Sequence, residues 1–205
     1  MAIRAGASAL GLVSEMPSGP GIVGEDTIAS VARSVPPFIA TFLLTSLQVP
    51  EAIIAQHRRC RTNTIQICDR IPIDAFAQLR EALPGIALVQ VVHIQSQSSV
   101  DEALTLGPYV NALLLDSGNQ MLPIKELGGT GRTHDWRLSR QICEESTVPI
   151  ILAGGLNPDN VADAVRTVHP FGVDLCSGVR SDGALDPGKL RRFFSAVHRA
   201  DSAAI

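Results

Sequence analysis

The 205-residue sequence predicts one α/β domain over residues 1–205, a TIM-type (β/α)8 barrel with its first strand missing. Short runs of β-branched and aliphatic residues recur at intervals of about 20 to 30 residues, each followed by a stretch with helical spacing. The runs are continuously apolar rather than alternating, as expected of parallel strands covered on their outer face. The series is regular and no second domain interrupts it, which favours a barrel over an open doubly wound sheet.

The elements follow in order. Residues 1–8 read as the last turn of a helix entering the strand ALGLVS (9–14). The helix EDTIASVARSV (25–35) opens with Glu25 and Asp26, which suit the positive end of its dipole. FIATFLLTS (38–46) is a strand, and VPEAIIAQHRRC (49–60) a helix with Pro50 early in its first turn. NTIQIC (63–68) and IALVQVVHI (86–94) are strands, separated by the helix IDAFAQLREAL (73–83). SVDEALTLGPYV (99–110) is helical and leads into the strand NALLLDS (111–117). The helix DWRLSRQICEES (135–146) precedes the strand PIILAGGL (149–156). PDNVADAVRTV (158–168), with Pro158 in its first turn, precedes GVDLCSG (172–178). The last helix, DPGKLRRFFSAVHRA (186–200), starts at Pro187. Seven strands are visible where a complete barrel has eight. A strand and most of a helix are expected before Met1, so the chain reads as a truncated or mis-started version of a longer protein. Alternatively a partner subunit fills the gap, and a homodimer would shield the two open edges.

Composition narrows the function. A net charge of −3 leaves no basic footprint for nucleic acid or an anionic membrane. Cys60, Cys68, Cys143 and Cys176 form no C-x-x-C pair, so neither a metal site nor a disulfide framework is expected. With no signal peptide and no long apolar run, a reducing cytoplasm is the expected location.

Candidate chemistry lies at the carboxyl ends of the strands. Gly154 and Gly155 end a buried strand just before a helix, where glycine amides and the helix N-terminus suit an anion. Ser177 and Gly178 repeat the arrangement on the next strand, as in a phosphate cradle, although such glycines also make ordinary tight turns. The long connection 118–134 reads as a flap, with Gly129 in its glycine-rich part and Arg132 at its tip facing either an anionic substrate group or solvent. Asp116 ends NALLLDS after three leucines, a costly place for a carboxylate, and is either a general acid or base or a cap for the loop. Cys68 and His93 end their strands at the same mouth; the thiol is either reactive or a small core hydrophobe, and the imidazole either catalytic or structural. His57, His169 and His198 read as surface residues.

Together, LLLDS, KELGGTGRTHDW, ILAGGLNPDNV and FGVDLCSGVRSDGALDPGKLRRF resemble phosphoribosylanthranilate isomerase, a (β/α)8 family of tryptophan biosynthesis. The resemblance is strongest over 111–195 and extends more loosely towards GASALGLV. It implies an Amadori rearrangement of a small phosphorylated sugar substrate, without metal or organic cofactor. By motif, Asp116 matches the family's general acid, and Gly154, Gly155, Ser177 and Gly178 match the segments that hold the substrate phosphate. Three differences stand beside the match. The family's base is a cysteine in a K-x-C-G segment on the missing strand. An arginine expected to hold the anthranilate carboxylate is replaced by Gly21. A histidine of the V-Q-L-H-G segment is replaced by Cys68, which leaves His93 and Cys68 as candidates for the base. The alternative implied by these differences is a catalytically silent or altered-specificity phosphosugar-binding barrel.

Overall fold

The computed structural model describes residues 1–202, so the end of the single domain expected over 1–205 lies outside the described residues. Its centre is a seven-stranded parallel sheet in the order β1 to β7: Ala9–Val13, Ala40–Thr45, Thr64–Ile67, Ala87–His93, Ala112–Asp116, Ile150–Leu152 and Gly172–Val173. Each strand pairs in parallel with the next in sequence. Among the described residues no strand joins β7 to β1, and the TIM-barrel-like sheet stays open there.

The helices are α1 (Ala2–Ala5), α2 (Glu25–Ser34), α3 (Pro50–Cys60), α4 (Ile73–Ala82), α5 (Gln97–Leu106), α6 (Trp136–Glu145), α7 (Val161–Val168) and α8 (Pro187–Ser202). Helix α1 is the expected terminal turn, closed by Gly6 in the left-handed region at φ 118°. The sheet buries two faces. Ile65, Ile67, Leu88, Val92, Leu113, Leu115 and Leu152 pack outward with Phe76, Leu79, Ile142 and Phe193 of the helices. Val89, Val91, Ala112, Leu114 and Ala153 pack inward, with Phe42 and Leu44 against them. The open gap is legible in burial: every residue of β5 is buried, whereas β1 alternates between exposed and half-buried.

Several elements differ from expectation. Pro158 lies ahead of α7, because Asn157 and Asn160 close a turn there: the Asn157 amide donates to Asn160 Oδ1 at 2.8 Å. The helix expected over 99–110 starts two residues earlier, where Ser96 and Ser99 form a capping box, and finishes at Leu106 in a 3-10 turn, Gly107–Tyr109. Strand β7 is only two residues long, and a hairpin not foreseen, β8 (Arg180–Ser181) with β9 (Ala184–Leu185), follows it. His57 is buried rather than on the surface; its Nε2 lies 2.7 Å from the Thr62 carbonyl and so holds the turn after α3.

Candidate active site

Alternation along the strands decides which side chains reach the mouth. On β5 the inward row is Ala112, Leu114 and Asp116; on β4 it is Val89, Val91 and His93. His93 and Asp116 are register partners across the two strands, so the imidazole and the carboxyl are neighbours. Both are buried.

Burial pushes the Asp116 carboxyl above the ordinary carboxylate range, against the opposing pull of the Ser117 amide and His93. The Ser117 N–H donates to Oδ1 at 2.6 Å. Burial also lowers the His93 imidazole, against the pull of the Asp116 charge. Its Nε2 lies 3.3 Å from the Cys68 carbonyl, which assigns the ring proton to that nitrogen. Its Nδ1 is buried without a partner among the described residues. Burial therefore favours the protonated carboxyl and the neutral imidazole, which suits an acid and a base on adjacent strands.

Cys68 also ends its strand inward, but it packs among Val89, Val91, Leu114 and Leu127. Burial pushes its thiol up to about 12. That environment suits a small core hydrophobe and leaves almost no thiolate near neutrality.

The glycines expected to hold an anion converge. A Cβ on Gly178 would fall 2.0 Å from the Leu156 carbonyl oxygen, so the β7 end packs backbone to backbone on the β6 end. Gly154 and Gly155 have φ of 82° and 63°, and a Cβ on Gly155 would fall 2.6 Å from the carbonyl carbon of Arg132. Ser177 is exposed at the start of a 3-10 turn beside them. The flap descends onto this cradle. Thr130 Oγ1 lies 2.8 Å from Ser117 Oγ, and Gly129 stacks against Pro20 of the loop after β1. Arg132 is not a free cation; it pairs with Glu126 within the same flap. Lys125 reaches 56 residues back in sequence to the buried Asp69 at 2.5 Å, which latches the flap to the end of β3.

Two further groups were not foreseen. Asp174 follows β7 and is pushed up to about 6 by burial and by the Asp116 charge. A carboxylate inside the apolar run GVDL was the available signal. His134, in the flap, places Nε2 2.7 Å from Ser139 Oγ and is lowered to about 4 by burial, so it stays neutral. Among the described residues no group of His, Cys, Asp and Glu is arranged for a metal ion.

Asp174→Asn is expected to raise the melting temperature at about pH 7 and to change it little at about pH 4. The folded carboxyl binds its proton more tightly than the unfolded one. Its stabilising contribution is therefore complete below the ordinary carboxylate range and is lost as pH rises through about 6. Equal melting temperatures for both proteins at every pH would refute the perturbed carboxyl.

The known proteins that this chain resembles agree with one another. A family model, N-(5'phosphoribosyl)anthranilate (PRA) isomerase, matches residues 14–196. An N-(5'-phosphoribosyl)anthranilate isomerase of Haloferax volcanii is 34% identical over 201 residues, which cover 97% of this chain and 87% of the relative. One from Methanosarcina mazei is 33% identical over 202 residues, covering 98% and 87%. The solved phosphoribosyl anthranilate isomerase of Thermotoga maritima is 26% identical, with a TM-score of 0.81 over 97% of this chain and 91% of that one. A phosphoribosyl anthranilate isomerase solved with reduced 1-(o-carboxyphenylamino)-1-deoxyribulose 5-phosphate has the same fold, with a TM-score of 0.79 at 24% identity over 97% and 91%. With fold and sequence in agreement over nearly its whole length, this chain belongs to the N-(5'-phosphoribosyl)anthranilate isomerase family.

Proposed function

We propose that the chain converts N-(5'-phosphoribosyl)anthranilate to 1-(2-carboxyphenylamino)-1-deoxyribulose 5-phosphate, with Asp116 as acid and His93 as base. The observation that carries this reading is the register pair itself, a raised carboxyl beside a lowered imidazole, next to a glycine cradle. The Asp116 carboxyl gives its proton to the furanose ring oxygen. The C1–O bond breaks as the amine lone pair forms a C1=N iminium. His93 Nδ1, which has no hydrogen-bond partner among the described residues and lies under Gly118 of the flap, takes the C2 proton once the flap moves off it. The electron pair of that C–H bond moves towards the iminium, and the resulting enolamine tautomerises to the C2 ketone. Gly154, Gly155, Ser177 and Gly178 hold the phosphate, whose remote binding energy orients the sugar. The bound reduced product of the structural relative supports this substrate class. His93 takes the base role ahead of Cys68 because the thiol is held protonated.

The test is direct conversion by the purified chain. His93→Gln is expected to lower kcat by about 10²-fold or more with little change in KM, the usual scale for a lost general base. Its pH profile carries the sign. Wild-type activity rises with pH as the imidazole becomes neutral, at a point below the ordinary histidine range because burial lowers His93. The variant lacks that rising limb. If the limb persists in the variant, the base role moves to Asp174.

A second reading, altered specificity for the aromatic part, rests on the cations around the mouth. Lys125 is paired with Asp69, Arg132 with Glu126 and Arg70 with Glu102, and Gly21 offers no side chain. On this reading the N-phosphoribosyl derivatives of aniline and anthranilate react with similar kcat/KM. A preference of tenfold or more for anthranilate removes it. A homodimer that covers the gap between β7 and β1 belongs to the same proposal, and its mass in solution decides it.

A further inference from the structure

Asp174 stands beside the acid and the base without a part in their proton transfers, and the strand registers fix its place. His93 pairs with Asp116 across β4 and β5. Leu115 pairs with Leu152, and Leu152 with Val173, so one residue further along each strand Asp116, Ala153 and Asp174 come level. The Ala153 amide donates to the Leu115 carbonyl and the Asp174 amide to the Leu152 carbonyl, both at 2.8 Å, which carries the pairing through these residues. Val173 packs with the outer core and Ala153 with the inner one, so alternation turns Asp174 to the inside of the sheet. His93, Asp116, Ala153 and Asp174 thus form one inward row across the ends of β4 to β7.

Between the two carboxyls Ala153 carries only a methyl group. The Asp116 charge acts on Asp174, and the charges of both act on Cys68 at the end of β3, so these ends face one interior. Unlike Asp116, Asp174 is only half-buried, which leaves part of it open to a bound substrate. Among the described residues no cation offsets its charge, and the Leu175 backbone is the one group that hydrogen-bonds it. A carboxylate so placed, beside an acid and without an ion pair, has no structural task to explain it.

On the isomerase reading, on which this inference rests, the enolamine keeps its O2 proton until the C2 ketone forms, and that proton needs an acceptor. We propose that Asp174 is a further catalytic residue, the base that takes the O2 proton. As the O2–H bond breaks, its electron pair forms the C2=O bond. The C1=C2 pair moves to C1, which takes the proton that His93 Nδ1 removed from C2. Asp174 ends protonated, while Asp116, having given its proton to the ring oxygen, ends ionised. A proton passed from Asp174 to Asp116 along the row resets the site with atoms and charge in balance. The sequence of events favours the transfer: once Asp116 has lost its proton, its new charge raises the proton affinity of the neighbouring carboxylate.

The experiment compares wild type with Asp174→Asn on substrate deuterated at C2 of the ribose. The variant is expected to form product about 10²-fold more slowly, the scale for a lost general base. Substrate recovered part-way through its reaction is expected to have lost deuterium to solvent, because the stalled enolamine returns to substrate after His93 has exchanged its proton. Wild type commits each enolamine to ketone and returns substrate with its label. A melting temperature at about pH 7 no lower than that of wild type shows that the variant is folded. Product formation within tenfold of wild type, or recovered substrate that keeps its label, overturns the role of Asp174 and leaves the isomerase reading standing. A wild-type chain that forms no product overturns both.

Discussion

Asp116→Asn is expected to lower kcat/KM about 10²- to 10⁴-fold, the range for loss of a general acid and equivalent to about 3 to 5 kcal/mol of transition-state stabilisation. The substitution keeps shape and volume, and an amide oxygen still accepts the Ser117 N–H that Oδ1 accepts at 2.6 Å. It removes the proton that the proposed mechanism delivers to the furanose oxygen. KM should change little, because the glycine cradle lies on β6 and β7 rather than on β5. Stability should hold or rise near neutral pH, since burial disfavours the charged carboxyl that the amide replaces. The competing view, that Asp116 only caps its loop, gives the opposite pair of results: a lower melting temperature with nearly normal turnover. Steady-state rates and thermal melts on the same preparation separate the two. A kcat/KM within tenfold of wild type would remove Asp116 from the mechanism.

How far the sequence alone reaches differs from residue to residue. All seven strands follow from their apolar runs, because a strand covered on both faces admits few polar residues. Asp116 is legible for the same reason: a carboxylate at the end of LLL needs an explanation. Strand ends are less legible. GVDLCSG reads as seven residues of strand, yet the strand is only Gly172–Val173, and by Ser177 the chain has entered a 3-10 turn. His57 misleads because its polarity suits a helix surface, whereas the burying contact is the Thr62 carbonyl just beyond the helix end. Arg132 misleads in a different way. A lone arginine on a flap suggests a ligand, and only the fold brings Glu126 beside it. The Lys125–Asp69 latch spans 56 residues, beyond any local pattern. Periodicity thus reaches what one element decides by itself, and contacts between loops stay out of its reach.

Gly178→Ala is the second large effect expected, and it tests the cradle rather than the acid. The backbone conformation of Gly178 tolerates a side chain, so the obstacle is space. The new Cβ would meet the Leu156 carbonyl oxygen at 2.0 Å and the Asn157 Cα at 3.0 Å, and both are backbone atoms that cannot swing aside. Overpacking of this kind costs about 1–3 kcal/mol, and relief requires the β6 and β7 ends to part. Those ends form the two halves of the proposed phosphate site. The melting temperature should therefore fall, and KM for the phosphorylated substrate and the inhibition constant of inorganic phosphate should rise together, each by tenfold or more. The control is Gly172→Ala on β7 itself, where nothing lies within 4 Å of the added carbon. There the loss of unfolded-state freedom should leave stability unchanged or raise it by up to about 1 kcal/mol. If Gly178→Ala lowers the melting temperature while phosphate still binds normally, the two glycine junctions are turns that pack against each other, and the substrate anchor must lie elsewhere on the rim.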